Sequence, residues 1–130
     1  RGRSVVISGD SNVSGNTLKI VDGADLLLHD TLSLPTTKAL SEALGAAGQS
    51  RQSRIVADVM DYHASARSLI ELGEKSNVDM VAFYHLVPVP PTSLLKDVFL
   101  RGAPDNFLLT EDLMWFELPI GSDDILVNDP

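Results

Sequence analysis

The chain has 130 residues, 44% of them hydrophobic, with eighteen acidic against ten basic side chains for a net charge of −8, and no cysteine. A chain this long buries roughly 65–70% of its unfolded surface, so it holds a real core and amounts to one domain or less, not a disordered segment. The missing cysteines exclude a disulfide framework and a thiolate metal site, and fit a reducing, cytoplasmic compartment. No basic cluster occurs, which disfavours nucleic acid as a partner, because phosphate neutralisation needs Lys and Arg on one face. No apolar run reaches ~18 residues, so no membrane-spanning helix is expected. A small substrate or a multivalent cation suits the acidic balance better.

Taken in chain order, Arg3–Ser8 reads as a strand buried on both faces, because it does not alternate. Leu18, Ile20 and Val21 before Gly23 suggest a short helix stopped by glycine. Leu26–Leu28 is a second apolar strand that ends in His29 and Asp30. Pro35 opens a helix carrying Leu40, Ala43, Leu44 and Ala47, with Gly48 as its stop and "GQSRQSR" as a polar loop beyond. "IVADVMDYH" fits no single element. Ala66, Leu69, Ile70 and Gly73 mark an amphipathic helix within 64–76, and Val78–Tyr84 is a third strand ending at His85. "VPVPP" breaks any element and reads as a loop shaping a site mouth or as a polyproline ligand. Thr92 or Ser93 caps a short helix through Leu100. "NFLLTEDLMWFELP" predicts an antiparallel hairpin turning near Thr110–Asp112, with Trp115 and Phe116 in a core or interface. Tyr62 and Tyr84 read as packing residues.

Strand and helix thus alternate three times, which predicts an α/β fold: a mixed sheet with flanking helices and a C-terminal antiparallel hairpin. In such sheets chemistry gathers at the carboxyl ends of the strands. Asp10, His29 with Asp30, and His85 are each expected at such an end, along one rim. Imidazole nitrogen and carboxylate oxygen suit zinc, iron or manganese, and a carboxylate can bridge two ions. On spacing alone, a hydrogen-bonded structural histidine and an aspartate used in a turn account for these residues as well.

"VVISGDSNVSGNTLKIVDGADLLLHD", "DYHASARSLIELGEKSNVDMVAFYHLVPVPP", "FLRG" and "LTEDLMWFELPIGSDDI", in that order, resemble the C-terminal half of metallo-β-lactamase-fold hydrolases. The subgroup most similar is that of ribonuclease Z and the arylsulfatase-like enzymes. The resemblance implies half of an αββα sandwich across residues 1–130. It implies Asp10 as the carboxylate bridging two divalent ions, most often zinc, and His85 as a ligand of the second. It implies that His63 assists the leaving group and that Asp30 orients His63. The reaction implied is attack of a metal-bound hydroxide on a phosphate, sulfate or carboxylic ester.

The sequence departs from the family at three places. Asp30 stands where the family has glutamate and is one methylene shorter, which reduces its reach toward His63. Ala64-Ser65 stands where the family has Ser-Thr. Both departures favour small-molecule esters over transfer RNA as substrate. The family's His-x-His-x-Asp-His string does not occur. With no Met at position 1 and a strand starting almost at once, the expectation is of a fragment whose N-terminal half is missing. The fragment alone is expected to be inactive, and its uncovered sheet to pair with that half or to self-associate as a homo-oligomer. Two rival classes are a non-catalytic assembly module that keeps the fold, and a receiver-like signalling domain with Asp10 as phosphate acceptor.

Overall fold

The computed structural model describes residues 2–130. Apolar runs form β1 (Val5–Ile7), β2 (Leu26–Leu32), β3 (Met80–Val87) and β4 (Phe107–Leu109). These pair in the order β1-β2-β3-β4, and every pairing is parallel. Parallel neighbours cannot be joined by a tight turn, so each connection crosses over the sheet and carries helix. Helix α1 (Gly15–Val21) joins β1 to β2. Helices α2 (Leu34–Ala46), α3 (Ser50–Asp58) and α4 (Ala66–Lys75) lie between β2 and β3, and α5 (Ser93–Lys96) lies between β3 and β4. Strands β5 (Trp115–Glu117) and β6 (Leu126–Asn128) form a separate antiparallel ribbon. The protein is therefore α/β, with parallel and antiparallel pairing both present but in different sheets.

The sheet packs its largest core cluster on one face. Side chains alternate along a strand, so the cross-strand neighbours Val6, Leu27, Val81 and Phe107 share a face. That face packs against Val21 of α1, Leu69 and Leu72 of α4, and Phe99 beyond α5 in one core cluster. The other face carries Val5, Ile7, Leu26, Leu28, Met80, Ala82 and Leu108. Leu26 and Ala82 at its centre are buried, but Val5 and Ile7 on β1 are 48% and 68% exposed. The expectation that the first strand is buried on both faces is therefore corrected. As an edge strand, β1 has one neighbour, and only Val6 turns toward the helices.

Two further expectations are corrected. Phe107–Leu109 does not turn back into Trp115–Glu117; it joins the parallel sheet beside β3, and Trp115 pairs instead with Asn128. Trp115 is 49% exposed, which excludes the core but not the interface half of that expectation. The polar stretch after Gly48 is not a loop but the start of α3. Gly48, at φ 76°, makes the reversal in so few residues that the chain resumes helix at Ser50. Helix α3 buries no residue among those described and is held to α2 by reciprocal hydrogen bonds, Ser41 Oγ to the Ser53 carbonyl at 2.9 Å and Ser53 Oγ to the Ser41 carbonyl at 2.8 Å.

Arg3 ties the ends of the chain together. Its Nε lies 2.9 Å from Oδ1 of the buried Asp25, and its guanidinium donates to the carbonyls of Ser122, Asp123 and Asp124.

Gly73 of α4 marks where helix and sheet come closest. A Cβ at this position would overlap Cζ of Phe107 and lie 3.0 Å from Cε2. Gly73→Ala gains about 1 kcal/mol of helix propensity but overpacks at a cost of about 1–3 kcal/mol. The expected outcome is a lower urea midpoint at unchanged m-value; a higher midpoint would show that the Phe107 ring yields.

Candidate functional site

Three chain segments converge beyond the carboxyl ends of β1, β2 and β3. The β1 ladder runs on to the Ser8 amide, which donates to the Leu28 carbonyl at 3.0 Å. Gly9 then takes φ 62°, a left-handed conformation that costs glycine nothing, and the turn presents Asp10 to solvent. On the far side of β2, strand β3 is irregular. Asp30 pairs with Tyr84 and Thr31 with Leu86, so His85 is the extra residue of a β-bulge, and it sits at φ 44°. A bulge re-aims its side chain. His85 Nδ1 thereby meets Asp10 Oδ1 at 2.9 Å, across the intervening strand.

The third segment leads into α4. Leu32 donates its amide to the Ala64 carbonyl at 2.7 Å, which draws this loop along the end of β2. His63 then lies against Asp30, with Nδ1 2.6 Å from Oδ2. Asp10, His63 and His85 each offer a donor atom within 4.8 Å of the others, and the His63 and His85 rings stand edge-on with centroids 5.3 Å apart. All four residues singled out in the sequence, Asp10, Asp30, His63 and His85, are thus in one place. The shorter Asp30 does reach His63.

Asp30 is fully buried and accepts on both oxygens. Oδ2 takes His63. Oδ1 faces His29 Nδ1 at 2.9 Å, the Ser11 amide at 3.2 Å and the Ser8 hydroxyl at 3.4 Å. Burial pushes its carboxyl up. Hydrogen bonds from His29, His63 and the Ser11 amide, with the electrostatic pull of His29, outweigh that and hold it below the usual carboxylate range. An ionised Asp30 can only accept, so His63 Nδ1 carries the hydrogen and Nε2 is the nitrogen presented to a ligand.

Three placements differ from the sequence reading. Strand β2 continues through His29 and Asp30 to Leu32, so His29 is a fully buried residue inside a strand and not a member of the rim. Tyr62 does not pack away; it is 51% exposed, tilted against the His63 ring at a centroid distance of 5.0 Å. Ser8 and Ser11 were not anticipated as partners of Asp30. The signal they left is the run of small polar residues around Gly9-Asp10, which reads equally as turn chemistry.

Neither the models of known protein families nor the curated proteins include a match to this chain.

Because the folded pKa of Asp30 lies below its ordinary value of 3.8, its contribution to stability is complete above about pH 4 and is lost as the pH falls through the lower folded value. Below about pH 4, unfolding free energy should fall more steeply with acid in the wild type than in Asp30→Asn. Urea midpoints from pH 5 downward check this, and parallel curves would contradict it.

Proposed function

We propose that this chain is the C-terminal half of an αββα metallo-β-lactamase-type hydrolase that cleaves a phosphate, sulfate or carboxylic ester of a small molecule. One observation carries the reading: Asp10 and His85, from non-adjacent strands, meet at 2.9 Å beside a histidine whose Nδ1 is held by a buried carboxylate. The order of the motifs along the chain supports it, as do the exposed apolar side chains of Val5 and Ile7 on the edge strand. A layer with helices on one face and exposed apolar side chains at its open edge is what one half of such a sandwich leaves uncovered.

The donor set fits divalent metal. Oxygen from Asp10 and nitrogen from His85 suit zinc, and also manganese or iron. These two residues would hold the ions, with the remaining ligands supplied by the other half. When bound, such ions provide Lewis acidity and lower the pKa of an attacking water. The chain's own chemistry lies in His63. As an imidazolium, with Nδ1–H held by Asp30, it can give the Nε2 proton to a departing oxygen and return to the neutral Nδ1–H form. The net charge of −8 favours a small substrate over RNA.

A second reading has its own support. His63 lies within 4.8 Å of both other donors, which favours it as a third ligand of a single ion held by this chain alone. A carboxylate behind a metal-bound histidine is a common arrangement.

In the full-length protein, about two equivalents of zinc are expected per chain, with Asp10→Ala falling below one by elemental analysis. Wild-type metal content in that variant would overturn the bridging role.

His63→Ala separates the two readings. If His63 is the acid, metal content stays and turnover of an alkyl phosphodiester drops by about 10²–10⁴. A p-nitrophenyl ester, whose leaving group needs no proton, should slow far less. Loss of metal from His63→Ala would favour the single-ion reading.

A further inference from the structure

We propose that His29 is a positioning residue for the Asp30–His63 pair, holding one oxygen of the buried carboxylate while His63 takes the other. The inference rests on the preceding reading only for the use to which the pair is put; its geometry stands independently.

The His29 ring is fully buried, and its two nitrogens are in opposite situations. Nδ1 lies 2.9 Å from Asp30 Oδ1 and 2.8 Å from the Asp30 main-chain carbonyl. Both are acceptors, so Nδ1 carries the hydrogen, and that hydrogen points between the backbone and the side chain of a single residue. Nε2 is buried and has no hydrogen-bond partner among the described residues. Leaving a buried polar atom unsatisfied is costly. Leucine or methionine would fill the same space without that cost. A histidine here is therefore explained by what Nδ1 does and not by packing.

Its effect is on the freedom of Asp30. A carboxylate anchored through one oxygen can rotate about χ2 and exchange its oxygens. The other partners of Oδ1 are longer, the Ser11 amide at 3.2 Å and the Ser8 hydroxyl at 3.4 Å. By fixing Oδ1 to its own backbone, His29 leaves Oδ2 a single direction, the one in which His63 Nδ1 lies at 2.6 Å. His63 is then locked in the tautomer that presents Nε2.

The test is nitrogen-15 NMR of the histidine side chains in the metal-free full-length protein, with no substrate. In the wild type both His29 and His63 should carry hydrogen on Nδ1. In His29→Leu the His63 Nδ1 hydrogen should exchange with solvent at least about tenfold faster, and the ring should become a mixture of tautomers. His29→Asn, whose amide places an N–H near the position of Nδ1, should restore the wild-type signal. A folded His29→Leu protein with an unchanged His63 signal would overturn the proposal, as would a wild-type His29 with its hydrogen on Nε2. Should His29→Leu fail to fold, the Asn variant decides: a retained His63 signal supports the proposal, and a lost one overturns it. Since no metal is involved, failure of the hydrolase reading leaves this result intact, and the reverse also holds.

Discussion

A carboxylate with no access to water must be given partners, and Asp30 draws them from three separate segments. The loop after β1 contributes the Ser11 amide and Ser8 hydroxyl, β2 contributes His29, and the turn before α4 contributes His63. Removing any one leaves a buried charge short of a hydrogen bond, which costs more than an exposed contact would. The same bonds fix the segments relative to one another. Asp10 is bonded in sequence to Ser11, so anchoring Ser11 on Asp30 also sets where Asp10 stands. His63 is anchored on the opposite oxygen. The geometry of the Asp10–His63–His85 cluster is thus imposed from beneath, by a residue that does not itself reach solvent.

The sheet makes this arrangement possible. Consecutive parallel pairing brings the carboxyl ends of β1, β2 and β3 side by side, while α1 and α4 pack on one face. Asp30, on the central strand of those three, lies between the loops that follow its neighbours. An antiparallel arrangement of the same segments would put alternate strand ends at opposite edges, and the four residues would not meet. The edge of the sheet has a different consequence. Val5 and Ile7 are exposed because β1 is an edge strand with a single neighbour.

Much of this was legible in the sequence for a definite reason. Apolar runs separated by helical periodicity identified α1, α2, α4 and the first three strands, and glycines at 9, 23 and 48 marked the turns, where each adopts positive φ. The residues of the site were legible as polar groups closing apolar runs. What escaped depends on tertiary context. Polarity made α3 read as loop, because a helix lying outside the core needs no apolar face. The strand ends were set too early, because β2 carries His29, Asp30 and Thr31 inward and β3 runs on past the exposed His85 to Val87. The bulge at His85 has no local signature at all. It exists because two strands of unequal path must stay in register on either side of it.

That bulge carries an energetic asymmetry. A non-glycine residue at φ 44° costs on the order of 1–2 kcal/mol. Its visible return is a contact with Asp10, in which the side chains are 46% and 60% exposed, and exposed pairs of this kind contribute about 0–1 kcal/mol. The pair therefore does not hold the bulge in place. The β2–β3 ladder does, through the pairs on both sides of the irregularity. The conformation of His85 is thus imposed on it, and it leaves an oxygen and a nitrogen donor side by side at the surface with little gained from their mutual contact. Strain sustained by the scaffold at the point where two donors converge is consistent with the proposed function, under which a divalent cation matching both atoms would supply the missing interaction.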